Sequence, residues 1–103
     1  MKPLSYGYLR ITDDLDHEQI IELDRGLSEL AKAEGLCYAT TFYESEPEGH
    51  RAFHELTREL TRAQAHHVVV ASLHNLSPHP ILRRKLIRLI LEAGAQLWAV
   101  TDT

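Results

Sequence analysis

Short apolar runs alternate with amphipathic stretches along the whole chain. Leu4 to Thr12 carries Tyr6, Tyr8, Leu9 and Ile11 around a glycine at position 7, a β-rich composition. Asp13, Asp14 and Asp16 follow as candidate helix N-caps. Ile20, Leu23, Leu27, Leu30 and Ala31 then recur at helical spacing, and Gly35 offers a stop. Leu36 to Tyr43, with Tyr38, Thr40, Thr41 and Phe42, reads as a second strand. Residues 44–50 are polar and contain Pro47 and Gly49, which marks a loop. Phe53, Leu56, Leu60 and Ala63 define one side of a second helix. His67 to Leu73 is a nearly unbroken apolar run, as expected for a strand covered on both faces. Two prolines make 74–80 a loop. A last helix runs from near Ile81 to Gly94, and Gln96 to Thr101 forms a fourth strand.

Strands alternating with helices require right-handed crossovers. They predict an α/β fold: one domain over residues 1–103, a four-stranded parallel sheet with helices on both faces. No repeat, low-complexity tract or linker divides it. In such sheets ligands gather at the C-terminal strand ends, beside the point where strand order reverses. If the first strand lies next to the third, that crevice takes Arg10, Thr12 and Asp13 from one side. Leu73, His74 and Asn75 come from the other, and Arg51 from the loop before the second helix.

Composition narrows the function classes. The net charge of −4 lacks the basic excess expected of a stand-alone DNA binder. The single cysteine, Cys37, cannot form an internal disulfide, and its place in a predicted buried strand suggests a packed thiol. The N-terminus has no secretory apolar region and no run reaches membrane-spanning length, so a cytoplasmic protein without a membrane partner is expected. Among seven histidines, His50 and His54 stand at i, i+4 spacing. A third ligand would have to come from His17, His66, His67, His74 or His79, without recognisable spacing. Neither a metal nor another cofactor is expected. Asp13-Asp14 suggests a receiver-domain acidic pair, but the third strand ends in Ser72-Leu73-His74 where that chemistry needs an aspartate.

Tyr6-Gly7-Tyr8-Leu9-Arg10-Ile11-Thr12 resembles the opening motif of the resolvase/invertase family of serine recombinases, Gly-Tyr-x-Arg-Val-Ser, whose serine attacks a DNA phosphate. The likeness continues. Gly49-His50-Arg51-Ala52-Phe53-His54-Glu55-Leu56 is similar to the family's mobile loop and arginine-led helix. Leu73-His74-Asn75-Leu76-Ser77-Pro78 stands where the family reads Leu-Asp-Arg-Leu-x-Arg. The last helix and strand, through Leu97 to Asp102, match in order. The resemblance covers nearly the whole chain and implies a resolvase-like catalytic-domain fold, with Thr12, Arg10 and Arg51 at vestigial catalytic positions. It also exposes departures. Thr12 is a secondary alcohol in place of a primary one, Asn75 and Pro78 replace two arginines, and His74 replaces an aspartate. Losing one preorganised donor costs roughly 3–4 kcal/mol of transition-state stabilisation. The resemblance further implies a long helix and a helix-turn-helix after this domain, and these 103 residues contain neither.

Each candidate has a plainer counterpart. Arg10 either lines an anion pocket or pairs with Asp13, Asp14 or Asp102 at the sheet edge. Thr12 reads more simply as a strand-end or capping residue, and Arg51 as a solvated first-turn arginine. Arg83, Arg84, Lys85 and Arg88 form a basic patch on the last helix, most simply a solvated face. Ile87 and Leu91 widen that helix's apolar surface beyond Leu82, Leu86, Leu89, Ile90 and Ala93, which suggests a partner face. The leading expectation is a degenerate recombinase-like domain without strand exchange, working as a protein-interaction or regulatory module in a homo-oligomer or with a protein partner. Two alternatives stand beside it. One is a phosphoryl transferase with Thr12 as nucleophile and Arg10 and Arg51 on the phosphate. The other is a DNA-associated accessory protein using the Arg83 to Arg88 patch.

Overall fold

In the computed structural model, which describes residues 2–46 and 48–101, alternation along β1 (Leu4–Arg10) divides the core in two. β1 pairs in parallel with β2 (Cys37–Glu44) on one side and β3 (His67–Val70) on the other, and β3 pairs with β4 (Gln96–Ala99). The resulting four-stranded sheet has the order β2-β1-β3-β4. Tyr6 and Tyr8 of β1 join Val68 and Val70 under Phe53, Leu56 and Leu60 of α2 (Arg51–Ala63), and under Leu86 and Ile90. Leu9 and Val69 face the opposite way, onto Leu27 and Ala31 of α1 (His17–Ala33). Successive residues of a strand point to opposite faces, so one strand feeds both layers.

Local chemistry sets the helix boundaries. Of the three early aspartates, Asp16 is the N-cap of α1, accepting from the Gln19 amide at 2.8 Å while Gln19 reaches back to the Asp16 N–H. β3 ends three residues earlier than the apolar run suggests. Ser72 turns the chain there by accepting the Asn75 amide at 3.0 Å, and it starts a short helix, α3 (Leu73–Leu76), in a stretch expected to be loop. Fully buried Leu76 anchors that turn. Pro80 then opens α4 (Pro80–Glu92), where a missing N–H loses no hydrogen bond.

Cys37 is exposed, contrary to the expectation of a packed thiol. It heads β2, an edge strand of the sheet, so only one neighbouring strand covers it. No described helix is long and apolar enough to cross a membrane.

Gly7 is required by close approach across the sheet. A Cβ there would lie 1.8 Å from the Tyr38 hydroxyl and 3.1 Å from Leu27 Cδ1. Tyr38 shares a hydrogen bond with Thr41, whose hydroxyl also contacts Asp24 on α1, so the phenol ties β2 to that helix. Gly7→Ala must push Tyr38 out of this position. The expected loss is about 1–3 kcal/mol, read as a lower urea midpoint; an unchanged midpoint would show that this edge of the sheet yields freely.

Candidate functional site

Because β1 and β3 are neighbours while their connections run to opposite faces, a crevice opens at the C-terminal ends of β1, β3 and β4. It is a cleft of about 370 Å3 whose wall includes Thr12, Asp14, Ser72, His74 and Asn75. Thr12, His74 and Asn75 thus come together as the sequence suggests. Asp14 enters the wall where Asp13 was expected, and Leu73 is not part of it.

Arg10 also borders the cleft, but its side chain follows the parity of Tyr8 and runs beneath α3 instead. It is only 2% exposed. Its Nη2 donates to the Leu76 carbonyl at 3.1 Å and to the Tyr8 hydroxyl at 3.0 Å, and its Nη1 donates to the Gly49 carbonyl at 3.0 Å. A buried cation is tolerable only when its fork of N–H donors meets acceptors in this way. The Tyr8 hydroxyl in turn donates to Glu44 Oε1 at 2.9 Å. Burial raises the Tyr8 ionisation well above the ordinary phenol range, which keeps the hydroxyl a donor. Glu44, itself buried, accepts the Ala52 amide at 3.2 Å and the Phe53 amide at 3.3 Å, two of the free N–H groups in the first turn of α2. One connected chain of bonds therefore runs from the start of α2 through Glu44 and Tyr8 to Arg10 and on to α3.

Asn75 fastens the same corner from outside. Its side-chain amide accepts from the Arg10 N–H at 3.0 Å and donates to the Arg10 carbonyl at 2.9 Å, extending the strand ladder by one side chain. The Thr12 hydroxyl donates to the Asp14 carboxylate, and the Thr12 carbonyl accepts the Leu15 amide at 3.1 Å, closing a turn ahead of α1. Asp102 lies outside the described residues.

The remaining candidates are dispersed. Arg51 is exposed at the first position of α2 and borders a separate depression with Tyr43, His50 and Glu55. Arg83 holds the link between α3 and α4, donating to the Ser77 carbonyl at 2.9 Å and standing 3.4 Å from His74 Nδ1. Arg84, Lys85 and Arg88 are exposed on the outer face of α4. Leu91 shares that face at 56% exposure, and Ile81, which sequence reasoning passed over, reaches 84%. Ile87 instead packs partly against the core. Glu44 was also missed, because its polar neighbours made it look like loop. The available signal was a lone acid at a strand end, shortly before a helix.

Among the described residues no group of three or more His, Cys, Asp or Glu is placed to hold a metal ion. His50 precedes α2, and its Nδ1 is buried without a hydrogen-bond partner among the described residues.

No family model matches the sequence, and no curated protein matches it either. Solved structures do match. The C-terminal catalytic domain of ISC1926 TnpA, an IS607-like serine recombinase, superposes with a TM-score of 0.79 at 14% identity, over 97% of this chain and 72% of that one. A resolvase family site-specific recombinase from Streptococcus pneumoniae gives 0.78 at 13% identity, over 96% and 72%. A serine recombinase from Sulfolobus solfataricus gives 0.71 at 18% identity, over 99% and 71%. The chain therefore has the fold of a serine recombinase catalytic domain.

His50 supplies a pH dependence. Burial, then the nearby Arg10 charge, lowers its ionisation below the ordinary 6.5. The unfolded chain therefore binds this proton more readily than the folded one. The stabilisation is complete above about pH 6.5 and diminishes as the pH falls from there toward the lower folded value. Urea midpoints measured between pH 7.5 and 5 should show this decline, flattened in His50→Gln; identical profiles for the two proteins would contradict it.

Proposed function

We propose that this domain has left phosphoryl transfer and works as a protein-interaction or regulatory module, as a homo-oligomer or with a protein partner. The observation that carries this reading is the arrangement of charge around Thr12. Its hydroxyl faces a carboxylate, Asp14, while the guanidinium of Arg10 donates to the Leu76 and Gly49 carbonyls on the other side of the strand. An alcohol attacking a phosphodiester needs cations on the non-bridging oxygens as negative charge develops there. A carboxylate in their place repels the substrate and the transition state alike. Arg51 borders a different depression, and Arg83 is bonded to the chain that links α3 to α4.

A binding role draws support from α4. Ile81, Arg84, Arg88 and Leu91 follow one another at three- and four-residue spacing and so share the helix's outer face. Two large apolar side chains exposed at the ends of a basic stripe resemble the mixed surfaces through which proteins associate. DNA is the weaker partner for this stripe, given a net charge of −4.

Covalent trapping tests the reading. The protein is incubated with nicked suicide duplexes of randomised sequence, beside an active serine recombinase on its own suicide substrate. The expected result is an adduct for the recombinase and none for this chain. A DNA adduct mapped to Thr12, lost in Thr12→Val, would overturn the proposal.

A further inference from the structure

We infer that the cleft at the ends of β1, β3 and β4 takes an organic cation, an ammonium or guanidinium head carried on an apolar stem. The inference rests on the preceding reading in one respect, that Arg10 does not serve the cleft with its charge.

Position comes first. A cleft at the C-terminal ends of parallel strands, at a reversal of strand order, is where this architecture binds ligands. At about 370 Å3 it falls within the range that encloses a small molecule. Charge comes next. Asp14 and Glu22 line it, and among the described residues Arg10 is the one arginine or lysine in its wall. That guanidinium donates to the Leu76 and Gly49 carbonyls and to the Tyr8 hydroxyl. Thr12 donates to Oδ1 of Asp14. Glu22 contacts Arg25, with both side chains more than half exposed, a pair that a better-enclosed cation can displace.

Several groups that would favour an anion are engaged within the protein. The Asn75 amide goes to the Ser72 hydroxyl at 3.0 Å, the Asn75 side-chain N–H to the Arg10 carbonyl at 2.9 Å, and the Thr101 hydroxyl to the Ala71 carbonyl at 3.3 Å. The wall thus offers acceptors and negative charge. Leu23, Ala71 and Val100 add an apolar surface for a stem. A cation in such a place gains charge-assisted hydrogen bonds to Asp14 and Glu22, whereas a phosphate would meet these two like charges.

The test compares probes that share one stem and differ in the head: 2-phenylethylammonium, 2-phenylethanol and 3-phenylpropanoate, with inorganic phosphate as a fourth. Amide shifts of Asp14, Ala71 and Val100 are followed by NMR titration of the intact chain. The ammonium should move these signals with an affinity about tenfold above the alcohol, a 1.4 kcal/mol difference. The carboxylate and phosphate should leave them in place. Asp14→Asn, whose other amide signals report that it is folded, should erase the tenfold preference. A fifth probe, acetyl-arginine amide, separates two sources of the same chemistry. Binding tighter than the free amine points to a partner's basic side chain, and weaker binding to a small-molecule amine. Phosphate or carboxylate moving the cleft signals as strongly as the ammonium would overturn the inference, and so would an ammonium that moves none of them. A Thr12–DNA adduct, by contrast, would remove the preceding reading whatever the probes do.

Discussion

A guanidinium withdrawn from water must find acceptors for its N–H groups, and the corner where β1, α2 and α3 meet is arranged around that demand. Arg10 reaches the carbonyls of Leu76 and Gly49 and the hydroxyl of Tyr8. Each of these partners fixes something else. Leu76 ends α3, Gly49 closes the turn before α2, and Tyr8 hands the connection to Glu44, which caps α2. Leaving any one of these buried groups without its partner costs roughly 1–3 kcal/mol. The α3 segment that borders the cleft and the loop before α2 are therefore held by one cation.

That constraint separates fold from chemistry. The fold superposes on serine recombinase catalytic domains at identities of 13–18%. Burial and parity keep such a scaffold intact through almost complete replacement of side chains, because the core asks only for apolar volume in the right places. Phosphoryl transfer asks for individual cations at individual points. At Asn75 and Pro78, where the sequence resemblance implies arginines, the side-chain amide of Asn75 completes the ladder of β1, and the Pro78 carbonyl accepts from Arg83 at 3.4 Å. Both positions serve the architecture.

Much of the fold was readable along the chain. The helical recurrence of Leu23, Leu27 and Ala31, and the run of Val68, Val69 and Val70, follow directly from burial on one helix face and on both strand faces. The crossover rule left the adjacency of β1 and β3 as a condition; the sheet order meets it, and Thr12, His74 and Asn75 come together as that condition implied. The direction of Arg10 was also implicit, since it lies two residues beyond Tyr8 on the same strand face. Its partners were not implicit. They are mostly backbone carbonyls, which carry no sequence signature, and they lie 39 and 66 residues away. α3 escaped notice because four residues give no periodicity, and Cys37 because strand propensity does not reveal which strand forms a sheet's edge.

Arg10 is a structural tie, its guanidinium engaged by the Leu76 and Gly49 carbonyls and the Tyr8 hydroxyl. Its guanidinium NMR signals test this most directly. A guanidinium held in this way should show slow rotation and slow solvent exchange, with separate Nη resonances at room temperature and no movement as inorganic phosphate is added. A single averaged Nη signal that shifts and saturates with phosphate would contradict it, and would return Arg10 to the chemistry of the cleft.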